Sequence, residues 1–120
     1  MKPNNKMTNA ELKLAELIWG SEPIMSMALV RLAQGAVGWS KSTTFTHLKA
    51  LVEKGYAKNA SSRITMEIGR DEYAAKQSCN FVDETFGGSL PMFVASFTKN
   101  RKLTPQQVAE LKRLIEDSAE

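Results

Sequence analysis

The chain is poor in the residues with which proteins do covalent or metal chemistry. Among its 120 residues there is one cysteine, Cys79, and one histidine, His47. A single cysteine excludes an internal disulfide and any site built from several thiolates. With one His, one Cys and no clustered carboxylates, there is no nucleophile–base pair and no set of metal ligands. The chain is therefore expected to be no enzyme, with no catalytic residue, no metal and no cofactor. No apolar run approaches the roughly 20 residues that cross a bilayer. The opening Met-Lys-Pro-Asn-Asn-Lys leads into no apolar signal core. The expectation is a cytoplasmic protein without membrane insertion, with residues 1–7 as a loose tail. Cys79 falls in a helical pattern, where a small buried thiol is the default. Internal repeats and low-complexity segments are absent as well.

What is present is enough apolar residue (42%) for one small core, and a lopsided charge. Residues 1–70 carry ten Lys/Arg against five Asp/Glu, a balance of +5, whereas residues 71–120 carry six against eight, a balance of −2. A basic first part and a mildly acidic second part suggest that only the first meets an anionic partner.

The pattern is mainly α with a small β-hairpin. Thr8-Asn9-Ala10-Glu11 has the form of a capping box, opening a helix with Leu12, Ala15, Leu17, Ile18 and Trp19 on one side and ending at Gly20. Ser26 is placed to cap a second helix with Met27, Leu29, Val30 and Leu32, ending at Gly35. Ser40 caps a third, with an apolar stripe of Phe45, Leu48, Leu51 and Val52 and with Gly55 at its C-terminal end. Three short helices joined by Gly-containing links read as a tri-helical unit whose last pair is a helix-turn-helix. Tyr56–Lys58 and the alternation of Ile64, Met66 and Ile68 predict two strands around a turn at Asn59–Ser62, a wing. Asp71, Ser89 and Thr104 then start three more helices. The first carries Phe81 and Phe86, the second Leu90, Phe93, Val94 and Phe97, and the last, opened by Thr104-Pro105 with Gln107, carries Leu111, Leu114 and Ile115. These helices hold too many aromatics for so short a segment to enclose, which marks an interface. The expected division is a winged helix-turn-helix over 1–70 and a three-helix homodimerisation region over 71–120. Its interface residues are Phe81, Phe86, Leu90, Phe93, Val94, Phe97, Leu111 and Leu114.

The third helix carries the functional expectation. Its outer surface offers hydroxyls, imidazole and ammonium groups, with no carboxylate until Glu53. That profile suits a helix in the major groove of double-stranded DNA. Ser40, Lys41, Ser42, Thr43, Thr46 and His47 would lie nearest the bases or adjoining phosphates, and Lys49, Lys58 and Arg63 would hold the backbone. A lone His on a polar face is more often solvated, and Trp39 more often packs at a helix entrance. The rival reading is a winged-helix module whose polar helix faces another protein and binds no DNA.

The order and spacing of several short segments resemble the BlaI/MecI/CopY penicillinase-repressor family over about residues 8–116. The matching pieces are Thr-Asn-Ala-Glu-Leu at 8–12 with Ile18-Trp19, Trp39-Ser40 with Thr43, Thr46, Leu51 and Lys54-Gly55, Phe81-Val82 with Phe86-Gly87-Gly88-Ser89-Leu90, and Leu103-Thr104 with Glu110-Leu111 and Leu114-Ile115. The resemblance implies a homodimeric transcriptional repressor on a palindromic operator. In one branch it is released when a sensor-protease system leads to its cleavage, and in another it senses metal through a cysteine cluster. This chain departs from the family pattern in places. Lys41-Ser42 follow Trp39-Ser40 where Pro-Lys is usual. Phe45 and Ala50 stand where basic residues are common. Ser96-Phe97 align with the scissile Asn-Phe, and the lone Cys79 excludes the cysteine cluster.

Overall fold

The computed structural model describes residues 5–119, in two compact units, one up to Gln77 and one from Ser78 onward. In the first unit, α1 (Asn9–Trp19) opens on the expected capping box. The Glu11 amide donates to Thr8 Oγ1 (3.1 Å), and the Thr8 amide to Glu11 Oε1 (3.0 Å). Its inner face is Leu14, Ala15 and Ile18, fully buried, with Leu12, Leu17 and Trp19 packed at the edge of the core. Trp19 Nε1 donates to the Ile68 carbonyl at 2.9 Å, so the indole fills the core edge without orphaning its one donor.

The wing is a three-stranded antiparallel sheet rather than a bare hairpin. A two-residue strand β1 (Ile24–Met25) pairs with β3 (Arg63–Met66), which also pairs with β2 (Ala57–Ala60), in the order β1-β3-β2. The strand ends at Met66, short of the expected Ile68, whose carbonyl is taken by Trp19. Ile64 is the fully buried member of β3 and lies opposite Ile24 and Asn59. Ser61 and Ser62 form the turn with positive φ (52° and 70°), the twist a two-residue hairpin needs. Asn59 Oδ1 accepts from the Ser62 amide at 3.0 Å and braces it.

Ser26 is not a cap. It is the first residue of α2 (Ser26–Val37), and its amide donates to the Ser62 carbonyl at 2.8 Å, so a distant turn does the capping. The helix also runs through Gly35 and stops at Gly38, whose φ of +73° supplies the left-handed C-terminal residue. Gly38-Trp39-Ser40 then lead into α3 (Lys41–Glu53). The buried stripe of α3 is Thr44, Leu48 and Leu51. Phe45 is half-buried, and Val52 (37% exposed) turns outward, contrary to expectation. Thr44 can sit in the core because its hydroxyl donates to the Ser40 carbonyl at 2.9 Å. Gly55, at φ +86°, turns the chain into β2.

The expected loose tail over residues 1–7 falls partly outside the described residues; Asn5 to Met7 are held. Met7 is buried and its amide donates to the Tyr73 hydroxyl (2.8 Å). The Lys6 carbonyl accepts from Lys54 Nζ (3.0 Å), and Tyr56 donates its hydroxyl proton to the Asn5 carbonyl.

The helix α4 (Arg70–Phe86) starts one residue before Asp71, which lies in its first turn instead of capping it; the Gly69 carbonyl accepts from the Tyr73 amide. Cys79, expected to be buried, is exposed, because beyond Tyr73 nothing in α4 is buried. In the second unit, α5 (Leu90–Asn100) is capped by Ser89. α6 (Pro105–Ser118) opens on a full capping box between Thr104 and Gln107.

Candidate nucleic-acid interface

The start of α3 gathers hydroxyl groups. Ser40 Oγ accepts from the Thr43 amide (3.2 Å), donates to Thr43 Oγ1 (3.1 Å) and lies 3.3 Å from Ser42 Oγ. This cap leaves the polar N-terminal turn exposed, where amide dipoles favour an anion. One turn on, Thr46 Oγ1 donates to the Ser42 carbonyl at 2.9 Å, so its proton is already committed to the helix. Lys41, Ser42, Thr46 and Lys49 are exposed, Thr43 and His47 half-buried. His47 packs beside Trp39, ring centroids 4.9 Å apart, so its imidazole is braced by an aromatic neighbour.

An open depression on α3 is lined by Lys41, Ser42, Phe45, Thr46 and Lys49. Phe45, expected in the core stripe and noted at a position where the family commonly has a basic residue, belongs to this face too, with Lys41 Nζ standing 5.9 Å from its ring centroid. The signal was present in the spacing. Lys41, Phe45 and Lys49 are four residues apart and so share one row of the helix.

The hairpin adds two cations to a single face. Ile64 points into the core, so its strand neighbours Arg63 and Thr65 point out. Their cross-strand partners, Ala60 and Lys58, lie on the same outer face. Lys58 and Arg63 are both exposed, and no ion pair among the described residues engages either.

A second cluster, missed in the sequence, fixes the far end of α3. Lys54 Nζ contacts Glu11 Oε1 at 2.6 Å, with the Glu11 side chain 7% and that of Lys54 25% exposed. Burial by itself raises the Glu11 pKa. The Lys54 ammonium and the Thr8 amide outweigh it and hold the carboxyl below its ordinary value. Burial, with Tyr73 and Glu11 nearby, raises the Tyr56 phenol, which stays protonated as donor to Asn5. The cluster ties the chain before α1, α1 itself and the end of α3 to one another. The signal for it was Glu11 at an N3 position, with Lys54 isolated at a helix end.

The expected interface residues lie in the second unit. Phe81, Leu90, Val94, Phe97, Leu111 and Leu114 are exposed, Leu114 to 62%, whereas Phe86 and Phe93 are half-buried. The Phe81, Phe86, Phe93 and Phe97 rings form a chain of contacts with centroids 5.7–6.1 Å apart. Phe93, Phe97, Leu103, Leu111 and Leu114 flank an apolar cleft of about 360 Å³. Ser96 and Phe97 are adjacent within α5, both exposed. Among the described residues no group of three or more His, Cys, Asp or Glu could hold a metal ion, and no helix is long and apolar enough to cross a membrane.

Comparison with known proteins covers nearly the whole chain. A sequence model of the family described as penicillinase repressor matches residues 7–117. The chain is similar to the penicillinase repressor of Bacillus licheniformis, 26% identical with 98% of this chain and 94% of the relative covered. It is similar also to the penicillinase repressor of Staphylococcus aureus (24%; 93% and 92% covered) and to the methicillin resistance regulatory protein MecI of Staphylococcus epidermidis (19%; 92% and 93% covered).

Proposed function

Because the chain belongs to the penicillinase repressor family, it is a DNA-binding transcriptional repressor and no enzyme, and we propose that it works as a homodimer on a palindromic operator. In this reading residues 1–70 bind DNA and residues 71–120 dimerise. The third helix enters the major groove, with Ser40, Lys41, Ser42, Thr43, Thr46 and His47 toward bases and phosphates. Lys49, Lys58 and Arg63 hold the phosphate backbone, and the wing lies along the flanking groove. Two copies related by a two-fold axis read two half-sites, and occupation of the promoter represses transcription with no reaction performed.

The observation that carries this reading is the charge of the outward surface. α3 exposes two lysines and a cluster of hydroxyls with no carboxylate before Glu53, and the hairpin's outer face adds Lys58 and Arg63. The apolar surface of the second unit supports dimerisation, since exposed aromatic and aliphatic side chains gain most from a matching copy. The test is duplex binding followed by fluorescence anisotropy across salt. Six or more phosphate contacts predict a loss of about a thousand-fold or more between 50 and 200 mM salt. A chain that binds no duplex even in dilute salt is instead a protein-interaction module.

Induction by a sensor-protease system would act at Ser96-Phe97. That bond lies inside α5, and proteases cut exposed, locally unfolded chain far more readily than intact helix. Cleavage there therefore requires α5 to open first. The check is an intact-mass fragment ending at Ser96 in cells under induction.

A further inference from the structure

Given DNA binding as proposed above, the face of α3 indicates which feature of the bases it is built to sense. From Lys41 to Glu53 there is no arginine, asparagine, glutamine or aspartate, and glutamate appears only at the last position. With lysine, those are the side chains that pair two hydrogen bonds with guanine or adenine, or accept one from cytosine, and of that set the exposed face of α3 keeps only Lys41 and Lys49 before Glu53. Phe45 and Thr46 line the depression together with Lys41, Ser42 and Lys49, and on the helix row Phe45 stands between the two lysines.

Two details make that middle apolar. Phe45 packs on the core with part of its surface and lines the depression with the rest. Thr46 is exposed, but its hydroxyl is tied to the Ser42 carbonyl at 2.9 Å. A threonine Cβ carries only a hydroxyl and a methyl, so holding the hydroxyl against the preceding turn leaves the methyl as the outward branch. The centre of the face is then an aromatic ring and a methyl group between two ammonium groups. The one base-edge feature in the major groove that such a surface complements is the C5-methyl of thymine.

We infer that Phe45 and Thr46 read thymine methyl groups in the major groove, while Lys41 and Lys49 hold the phosphates on either side. Sequence preference then rests on methyl contact more than on paired hydrogen bonds.

The test starts from a random-sequence duplex pool selected for binding to the full chain. The recovered duplexes are remade with dUTP in place of dTTP, which deletes only the C5-methyl. The chain binds the uracil form at least about four-fold more weakly, the scale set by burying one carbon. Thr46→Ser keeps the hydroxyl and its bond to Ser42 but lacks the methyl, and it narrows that gap; Phe45→Ala narrows it further. Because Phe45 also packs on the core, circular dichroism accompanies F45A, and T46S carries the test if F45A unfolds. Equal affinity for the thymine and uracil forms overturns the inference and leaves DNA binding standing, as does a gap that survives unchanged in T46S. Failure to recover any duplex in low salt overturns the DNA-binding reading, and this inference with it.

Discussion

The two units of the chain treat similar apolar side chains in opposite ways. The first buries Leu14, Ile18, Leu29, Leu51 and Ile64 completely around one core; the second buries none of its described residues, although it holds four of the five phenylalanines. Helix formation does not distinguish them. The second unit's helices start on good caps, Ser89 and the Thr104–Gln107 box. The difference is packing: 11- and 14-residue helices are marginal alone in water and need an apolar neighbour. The first unit supplies that neighbour within one chain; the second leaves its apolar side chains exposed, and in the proposed dimer a second copy supplies it.

The sharpest way to break this contrast is to remove the second unit's share. A chain ending at Gly88 should keep the first unit's circular dichroism, run as a monomer by light scattering, and lose about a hundred-fold or more in operator affinity as the second half-site ceases to be tethered. A truncated chain that still runs as a dimer with unchanged affinity would contradict dimerisation through that unit. Paired point changes come next. Ile18→Ala should cost about 2–5 kcal/mol in urea unfolding, as a truncation in a closed core does. Leu114→Ala, at 62% exposure, should leave that transition alone and weaken dimerisation in sedimentation equilibrium. A third test concerns Glu11→Gln, with a loss of about 1–3 kcal/mol at neutral pH expected for one charged hydrogen-bonded partner. The folded carboxyl has the lower pKa, so its contribution is complete above the ordinary carboxylate range and disappears as pH falls through the folded value. The variant should therefore show a flatter acid limb in stability measured from pH 6 to 3. The smallest effect is expected at Cys79→Ser, within about 0.5 kcal/mol, as for other exposed sites.

Features governed by residues near in sequence were readable from it. Thr8 with Glu11 and Thr104 with Gln107 form their capping boxes, and Ser40 and Ser89 cap where expected, because each bond joins residues three apart. Features set by distant partners were not readable. Strand β1 is two residues long and exists only because β3 lies beside it, so no local alternation announces it. The start of α2 is satisfied by Ser62, 36 positions away, which is why Ser26 looked like a cap when it is the first helical residue. On α3, Thr44 replaced Val52 in the core because a back-bonded hydroxyl hides its polarity. For the candidate site, the residue types and the Lys41–Phe45–Lys49 row were legible, but where Thr46 sends its proton was not, since a hydroxyl on a helix can bond to the preceding turn or to solvent.

The pairing of β1 with β3 has one further consequence. Met25 faces Arg63 across the sheet, and the next residue, Ser26, is both the first of α2 and the partner of the hairpin turn. Wing and helix-turn-helix are therefore joined by strand pairing at Ile24–Met25 and, one residue on, by the bond from the Ser26 amide to the Ser62 carbonyl. Because side chains alternate along a strand, inserting a single residue between Ile24 and Ser26 would force either Ile24 from its place opposite Ile64 or Ser26 off the Ser62 carbonyl. The length of the segment from Ile24 to Ser26 is thus fixed by what lies at both of its ends.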